Sequence, residues 1–117
     1  MTDIYETIKT VLTDAGVSSY YYDLPSDGFA TAYYIRFQRI SAHELISHSG
    51  IMSYKDRFEF ICVGQSIADL EIVKALMKTA LYFNDTNFSL VYPIEGSRET
   101  QAEGCFTYSK DFYIWYN

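Results

Sequence analysis

Apolar residues recur at helical spacing over residues 3–15: Ile4, Ile8, Val11, Leu12 and Ala15 share one side, while Glu6, Lys9, Thr10 and Thr13 face away. Asp3 with Glu6 forms an N-terminal capping box, and Gly16 supplies the stop. Residues 17–23, rich in Val and Tyr, read as a strand, and Pro25-Ser26-Asp27-Gly28 as a turn. A second strand covers 32–40, where Tyr33, Ile35 and Phe37 alternate with Tyr34, Arg36 and Gln38. The polar stretch 41–53 is read as a loop, and a third strand follows over 54–64 with Phe58, Phe60 and Cys62 on one face. Together these predict a large hairpin whose tip stands away from the body.

Ser66 is positioned as the N-cap of a second helix over 66–82, with Asp69 three residues on. Ile67, Leu70, Ile72, Val73, Leu76, Met77, Ala80 and Leu81 cover more than one stripe of it, so a second neighbour is expected, either the first helix or another subunit. Residues 84–87 are a loop, and 88–94 a fourth strand that Pro93 confines to an edge or a strand end. An acidic loop over 96–104 leads to a last strand at 105–116, with Phe106, Tyr108, Phe112, Ile114 and Tyr116 on one face. The order α-β-β-β-α-β-β predicts one α+β domain spanning 1–117. It is a largely antiparallel five-stranded sheet with two helices on one face. Its expected core holds Ile8, Leu12, Ile35, Phe58, Phe60, Leu70, Met77 and Ile114.

Composition changes this picture in two ways. Twelve Tyr, eight Phe and one Trp make 18% of the 117 residues, more than so small a core can hide, so part of the aromatic surface is expected to meet other protein. Fifteen acidic against nine basic residues give a net charge of −6, which disfavours a nucleic-acid reader. The middle of the chain runs the other way through Arg36, Arg39, Lys55 and Arg57. No apolar run approaches the roughly 20 residues of a membrane span, and the acidic N-terminus lacks the basic start of a signal peptide; no membrane partner and a cytoplasmic site of synthesis are expected.

Catalytic and metal chemistry finds little footing. In His43-Glu44-Leu45-Ile46-Ser47-His48 the histidines are five apart. A zinc-protease helix needs them four apart; one residue more turns the second ring about 140° away. Cys62 and Cys105 have no close-spaced partner and read as core thiols. No nucleophile elbow or phosphate loop is present, and no carboxylate pair is singled out. No enzyme activity, cofactor or metal is expected.

The order of these features resembles the tail terminator proteins of long-tailed bacteriophages, also called tail-completion or tail-to-head joining proteins, over essentially the full chain. The resemblance rests on the helix ending in Ala15-Gly16, the turn at Leu24-Pro25, the strand Tyr33-Tyr34-Ile35-Arg36-Phe37, and the Ser- and His-containing stretch before Arg57-Phe58-Glu59-Phe60. The helix over 66–82, the acidic loop and the strand Phe112-Tyr113-Ile114-Trp115-Tyr116 complete it. It implies a homo-hexameric ring that caps the tail tube in the virion, ends polymerisation of the major tail tube protein and docks the head completion or connector protein. DNA would pass unread through the lumen. It further implies that His43, Glu44, Leu45, Ile46, His48, Ile51 and Met52 order against a neighbouring subunit or the tube.

A ring needs two unlike patches on each subunit. The basic set Arg36, Arg39, Lys55 and Arg57 and the acids Glu95, Glu99 and Glu103, with Asp23 and Asp27, are the expected pair, although Arg36 and Arg39 point to opposite faces of their strand. Alternatives are another phage neck or head-completion ring, or a small cytoplasmic α+β dimer that binds a ligand.

Overall fold

Helix α1 (Ile4–Asp14) begins where Asp3 Oδ1 accepts the backbone N–H groups of Tyr5 at 3.1 Å and Glu6 at 3.3 Å. It ends in a Schellman motif. The Gly16 N–H bonds the Thr13 carbonyl, the Val17 N–H bonds the Leu12 carbonyl, and Gly16 takes φ 93°. Leu12 and Val17 are both buried, so the motif carries its usual apolar contact. The computed structural model describes residues 3–21, 32–47, 50–102 and 105–117, and for Ser47, Ile51, Met52 and Ala102 the backbone alone. The turn expected at 25–28, with Leu24, Asp23 and Asp27, and also His48 and Glu103, lie outside the described residues.

The strands are β1 (Ser19–Tyr21), β2 (Tyr33–Ser47), β3 (Gly50–Gly64), β4 (Leu90–Pro93), β5 (Arg98–Ala102) and β6 (Cys105–Tyr116), with helix α2 (Ile67–Leu81) after β3. They form one sheet in the order β1-β2-β3-β6-β4, in which β5 pairs the part of β6 that β4 leaves free. Among the described strands β1–β2 is the one parallel pair. The fold is the expected α+β arrangement with a sixth strand, since 98–102, read as part of an acidic loop, pairs in register with β6. That strand has no apolar alternation to announce it; backbone pairing on an open edge holds it. Pro93 ends β4 at the sheet edge, as its missing N–H requires.

The larger departure is the stretch 41–53. Described residues there continue the β2–β3 ladder instead of looping out, pairing Ser41 with Arg57, Glu44 with Tyr54 and Ile46 with Ile51. Bulges at Ile40 and opposite Leu45/Ile46 let the polar residues stay in the ladder without apolar cover. The hairpin becomes an arm, and the molecule measures 53 × 26 × 22 Å.

Both helices pack on one face of the sheet, and all eight expected core residues are buried there. Ile8 and Leu12 come from α1, and Leu70, Val73, Met77 and Leu81 from α2. They meet Ile35, Phe37, Phe58, Phe60, Phe112 and Ile114 on the strands. Ser66 caps α2 by accepting the Asp69 N–H at 3.1 Å. A side chain on Gly64 would lie 2.6 Å from the Leu70 backbone nitrogen, so only glycine allows α2 to turn this tightly off β3. Phe60 is fully buried, its ring 5.7 Å from Phe37 and 5.4 Å from Phe112. Phe60→Ala should cost about 3–5 kcal/mol in urea unfolding. A variant as stable as the parent would mean that the strand's faces are assigned the wrong way round.

Candidate functional site

At the root of the arm the inward face of β3 passes beyond the helices, and there Asp56 is fully buried. Its Oδ2 accepts the Tyr116 hydroxyl at 2.7 Å and pairs with Arg39 Nη2 at 3.0 Å. The Arg39 guanidinium also lies over the Tyr5 ring, 5.1 Å from its centroid, and 5.8 Å from that of Phe58. Burial first, and then the bond donated to the Asp56 carboxylate, push the Tyr116 phenol well above its ordinary range. Asp56 Oδ1 and Arg39 Nε are buried with no hydrogen-bond partner among the described residues. This cluster forms one wall of a groove of about 860 Å³ between the N-terminus of α1 and the arm, which Ile4, Tyr5, Ala42, Glu44, Ile46 and Tyr54 also line.

Among the described residues no helix lies on the opposite face of the sheet. Cross-strand pairing brings Arg36, Lys55 and Arg57 onto it, together with Gln38, Glu59, Asp111, Tyr113 and Trp115. Most of its charge is partly compensated. Arg57 grips Asp111 Oδ2 through Nε at 2.9 Å and Nη2 at 2.6 Å, and Gln38 donates to Glu59 at 2.7 Å. Lys55 Nζ sits 4.3 Å from the Tyr113 centroid and 5.2 Å from that of Trp115.

A third surface lies on α2. Ala68, Ile72, Ala75 and Thr79 are exposed at helical spacing, and Phe83 and Tyr92, with ring centroids 5.6 Å apart, continue the strip. Ile72 is 47% and Phe83 57% exposed. Phe83 also has φ 55°, a left-handed conformation that a bulky side chain adopts at a cost of about 1–2 kcal/mol.

The structure therefore divides the residues singled out in the sequence. Arg36, Lys55 and Arg57 share the open face, whereas Arg39 is on the helix side and bonded to Asp56 within the chain. Glu99 pairs with Lys74 at 3.0 Å, an intrachain bond, while Glu95 is exposed between β4 and β5. His43 is exposed and sits opposite Lys55 in the ladder; Glu44, Leu45 and Ile46 are exposed on the arm. Among the described residues no group of three or more His, Cys, Asp or Glu could hold a metal ion. Asp56 and Phe83 were not anticipated. An acidic residue within the alternation Tyr54, Asp56, Phe58 was the available signal for the first, and an aromatic in the turn after the helix for the second.

No protein-family profile matches this sequence. No curated protein matches it either. The fold itself is similar to a chain in the solved structure "Virion of native gene transfer agent (GTA) particle". The TM-score is 0.65 at 14% identity, and the match covers 96% of this chain and 90% of that one.

The two cysteines differ in a way that can be measured. Burial pushes the Cys62 thiol up to about 12, and its Sγ lies 3.5 Å from Met77 Sδ, whereas Cys105 is half-buried. At pH 8 a maleimide should label Cys105 and spare Cys62, as read by peptide mass spectrometry. Because the folded value of Cys62 is the raised one, its stabilising effect is complete below pH 9.0 and disappears as the pH climbs to about 12. Equal labelling of both thiols in the folded chain would contradict this burial.

Proposed function

We propose that this chain is a structural subunit of a virion, without enzymatic activity, that assembles as a hexameric ring at the head-proximal end of a phage tail tube. The observation that carries the reading is the end-to-end fold similarity to a component of a gene transfer agent virion. In this role the ring stops growth of the tail tube, offers its other side to a head connector, and leaves a lumen for DNA. The surface agrees with such a role: an open sheet face on one side and an exposed apolar strip on the other give a subunit the two unlike patches that a closed ring requires. Charged contacts across that junction are worth only about 0.2–1 kcal/mol each, so aliphatic and aromatic burial has to supply most of the association.

The arm, through His43, Glu44, Leu45, Ile46, His48, Ile51 and Met52, reaches the neighbouring subunit or the tube. Of these, Leu45 is 43% and Ile46 70% exposed. Arg36, Lys55 and Arg57 meet an acidic surface of the adjoining copy, in which Glu95 and Glu103 take part.

Native mass spectrometry should give six copies, either free or on added tails, and electron micrographs of tails made without the protein should show tubes of uncontrolled length that fail to join heads. Replacing residues 45–53 by Asn-Gly keeps the Glu44–Tyr54 pair and a hairpin turn. That variant should fold yet no longer complete tails; normal tails that join heads would refute the arm's role. A stable dimer would overturn the ring altogether. Phe83→Gly supplies the second check, since glycine removes the left-handed penalty while deleting an exposed aromatic. It should unfold no more easily than the parent but assemble several-fold more weakly by analytical ultracentrifugation.

A further inference from the structure

The groove at the root of the arm has a chemistry that the ring reading does not use. Asp56 is completely buried, and both of its bonds, from Tyr116 and Arg39, fall on Oδ2, leaving Oδ1 without a partner among the described residues. Buried carboxylate oxygens are ordinarily satisfied, and an unmet one on the wall of a groove points to a donor that arrives from outside. The described lining holds the carboxylates of Asp3, Glu44 and Asp56, the guanidinium of Arg39, which Asp56 neutralises, and the imidazole of His43. Tyr5, Tyr54 and Tyr116 contribute aromatic walls, with Tyr54 and Tyr116 stacked at 5.1 Å between centroids.

We propose that this groove is a socket for a cationic side chain, the guanidinium or ammonium of an arginine or lysine carried on an apolar segment of a partner protein. Charge favours the cation, because with Asp56 and Arg39 paired the described lining is left with the carboxylates of Asp3 and Glu44, beside the imidazole of His43. The aromatic walls offer ring faces to it, and Asp56 Oδ1, which has essentially no accessible surface, becomes its acceptor as the incoming group parts the wall. Metal binding is disfavoured by geometry, since among the described residues the carboxylates do not gather closely enough to share an ion. A volume of about 860 Å³ is far more than one guanidinium fills, and Ile4, Ala42 and Ile46 leave an apolar margin for the residues on either side of it. The occupant is therefore a segment of protein and not a free amine. Asp56, Tyr5 and Tyr116 have no part in the proposed ring, although Glu44 and Ile46 of the lining also belong to the arm that reaches the neighbouring subunit or the tube.

Amide chemical shifts of the isotope-labelled full chain test it, with N-acetyl-arginine methylamide, its neutral citrulline analogue and the capped tripeptide Leu-Arg-Leu as probes. The arginine probe should shift Tyr5, Glu44, Tyr54 and Tyr116, the citrulline probe should not, and the tripeptide should bind at least about tenfold more tightly. Asp56→Asn should weaken the tripeptide by about thirtyfold or more. Should that variant fold poorly, Glu44→Lys changes only an exposed position and should weaken binding about fivefold, with higher salt weakening the parent in the same direction.

Equal binding of the citrulline probe, or of a tripeptide with glutamate in place of arginine, would overturn the charge argument. A tripeptide no tighter than the single amino acid would make the natural ligand a free amine. The same shifts on raising protein concentration alone would make the occupant a second copy. Each of those results removes the proposal while leaving the hexamer measurement untouched.

Discussion

The side chains of β3 are fixed because that strand is hydrogen-bonded along both edges, to β2 on one side and β6 on the other. A strand held on two sides can slip only by breaking both ladders, and a slip of one residue would send every side chain to the wrong face. Phe58, Phe60 and Cys62 therefore all point at the helices, and Arg57, Glu59 and Ile61 all point away. The helices are placed in turn by that face: Met77 of α2 meets Cys62, and Tyr5 of α1 meets Phe58. The same alternation runs on past the body into the arm. Where α1 begins, its inward positions no longer find aliphatic cover, and Asp56 and Tyr54 fall on the inside.

A carboxylate in that place is costly to desolvate, and its ion pair with Arg39 is not in itself evidence of net stabilisation. Its effect is directional. Tyr116 at the end of β6, Arg39 on β2 and Asp56 on β3 meet at one oxygen, so the three strands are registered against one another where the apolar core has run out. Arg39 adds a second constraint by lying over Tyr5, which ties the N-terminus of α1 to the root of the arm. The arm is thus continuous in backbone with the body and anchored at its base by a polar lock.

Legibility in the sequence followed the apolar pattern closely. Both helices, the central strands and every expected core residue were readable because their side chains are sorted by burial. What was missed lies where backbone pairing, not burial, decides the structure. Residues 41–47 and 98–102 form strands with mostly exposed side chains, so alternation between apolar and polar positions carries no signal there. The candidate interface residues were readable as chemistry but not as groups. Arg39 separates from Arg36 because three positions along a strand reverse the face, and Glu99, though exposed, is tied to Lys74 of α2 because it lies on β5, a strand invisible in the pattern. The unmet oxygen of Asp56 depends on which donors converge there, and no linear pattern records that.

A sheet whose described helices all lie on one face leaves the other open. On that face, charged and aromatic side chains alternate with few aliphatic ones. Several of its residues are paired in place: Arg57 with Asp111, Gln38 with Glu59, and Lys55 over Tyr113 and Trp115. The polar groups so paired can be buried with little further loss of hydration, whereas Arg36 Nε has no partner among the described residues. The α2 strip follows the opposite logic, exposing Ile72 and holding Phe83 in a conformation that glycine would adopt at no cost. The Phe83 ring stands edge-on to Tyr82 and Tyr92, so it has partners within the chain while more than half of it stays exposed.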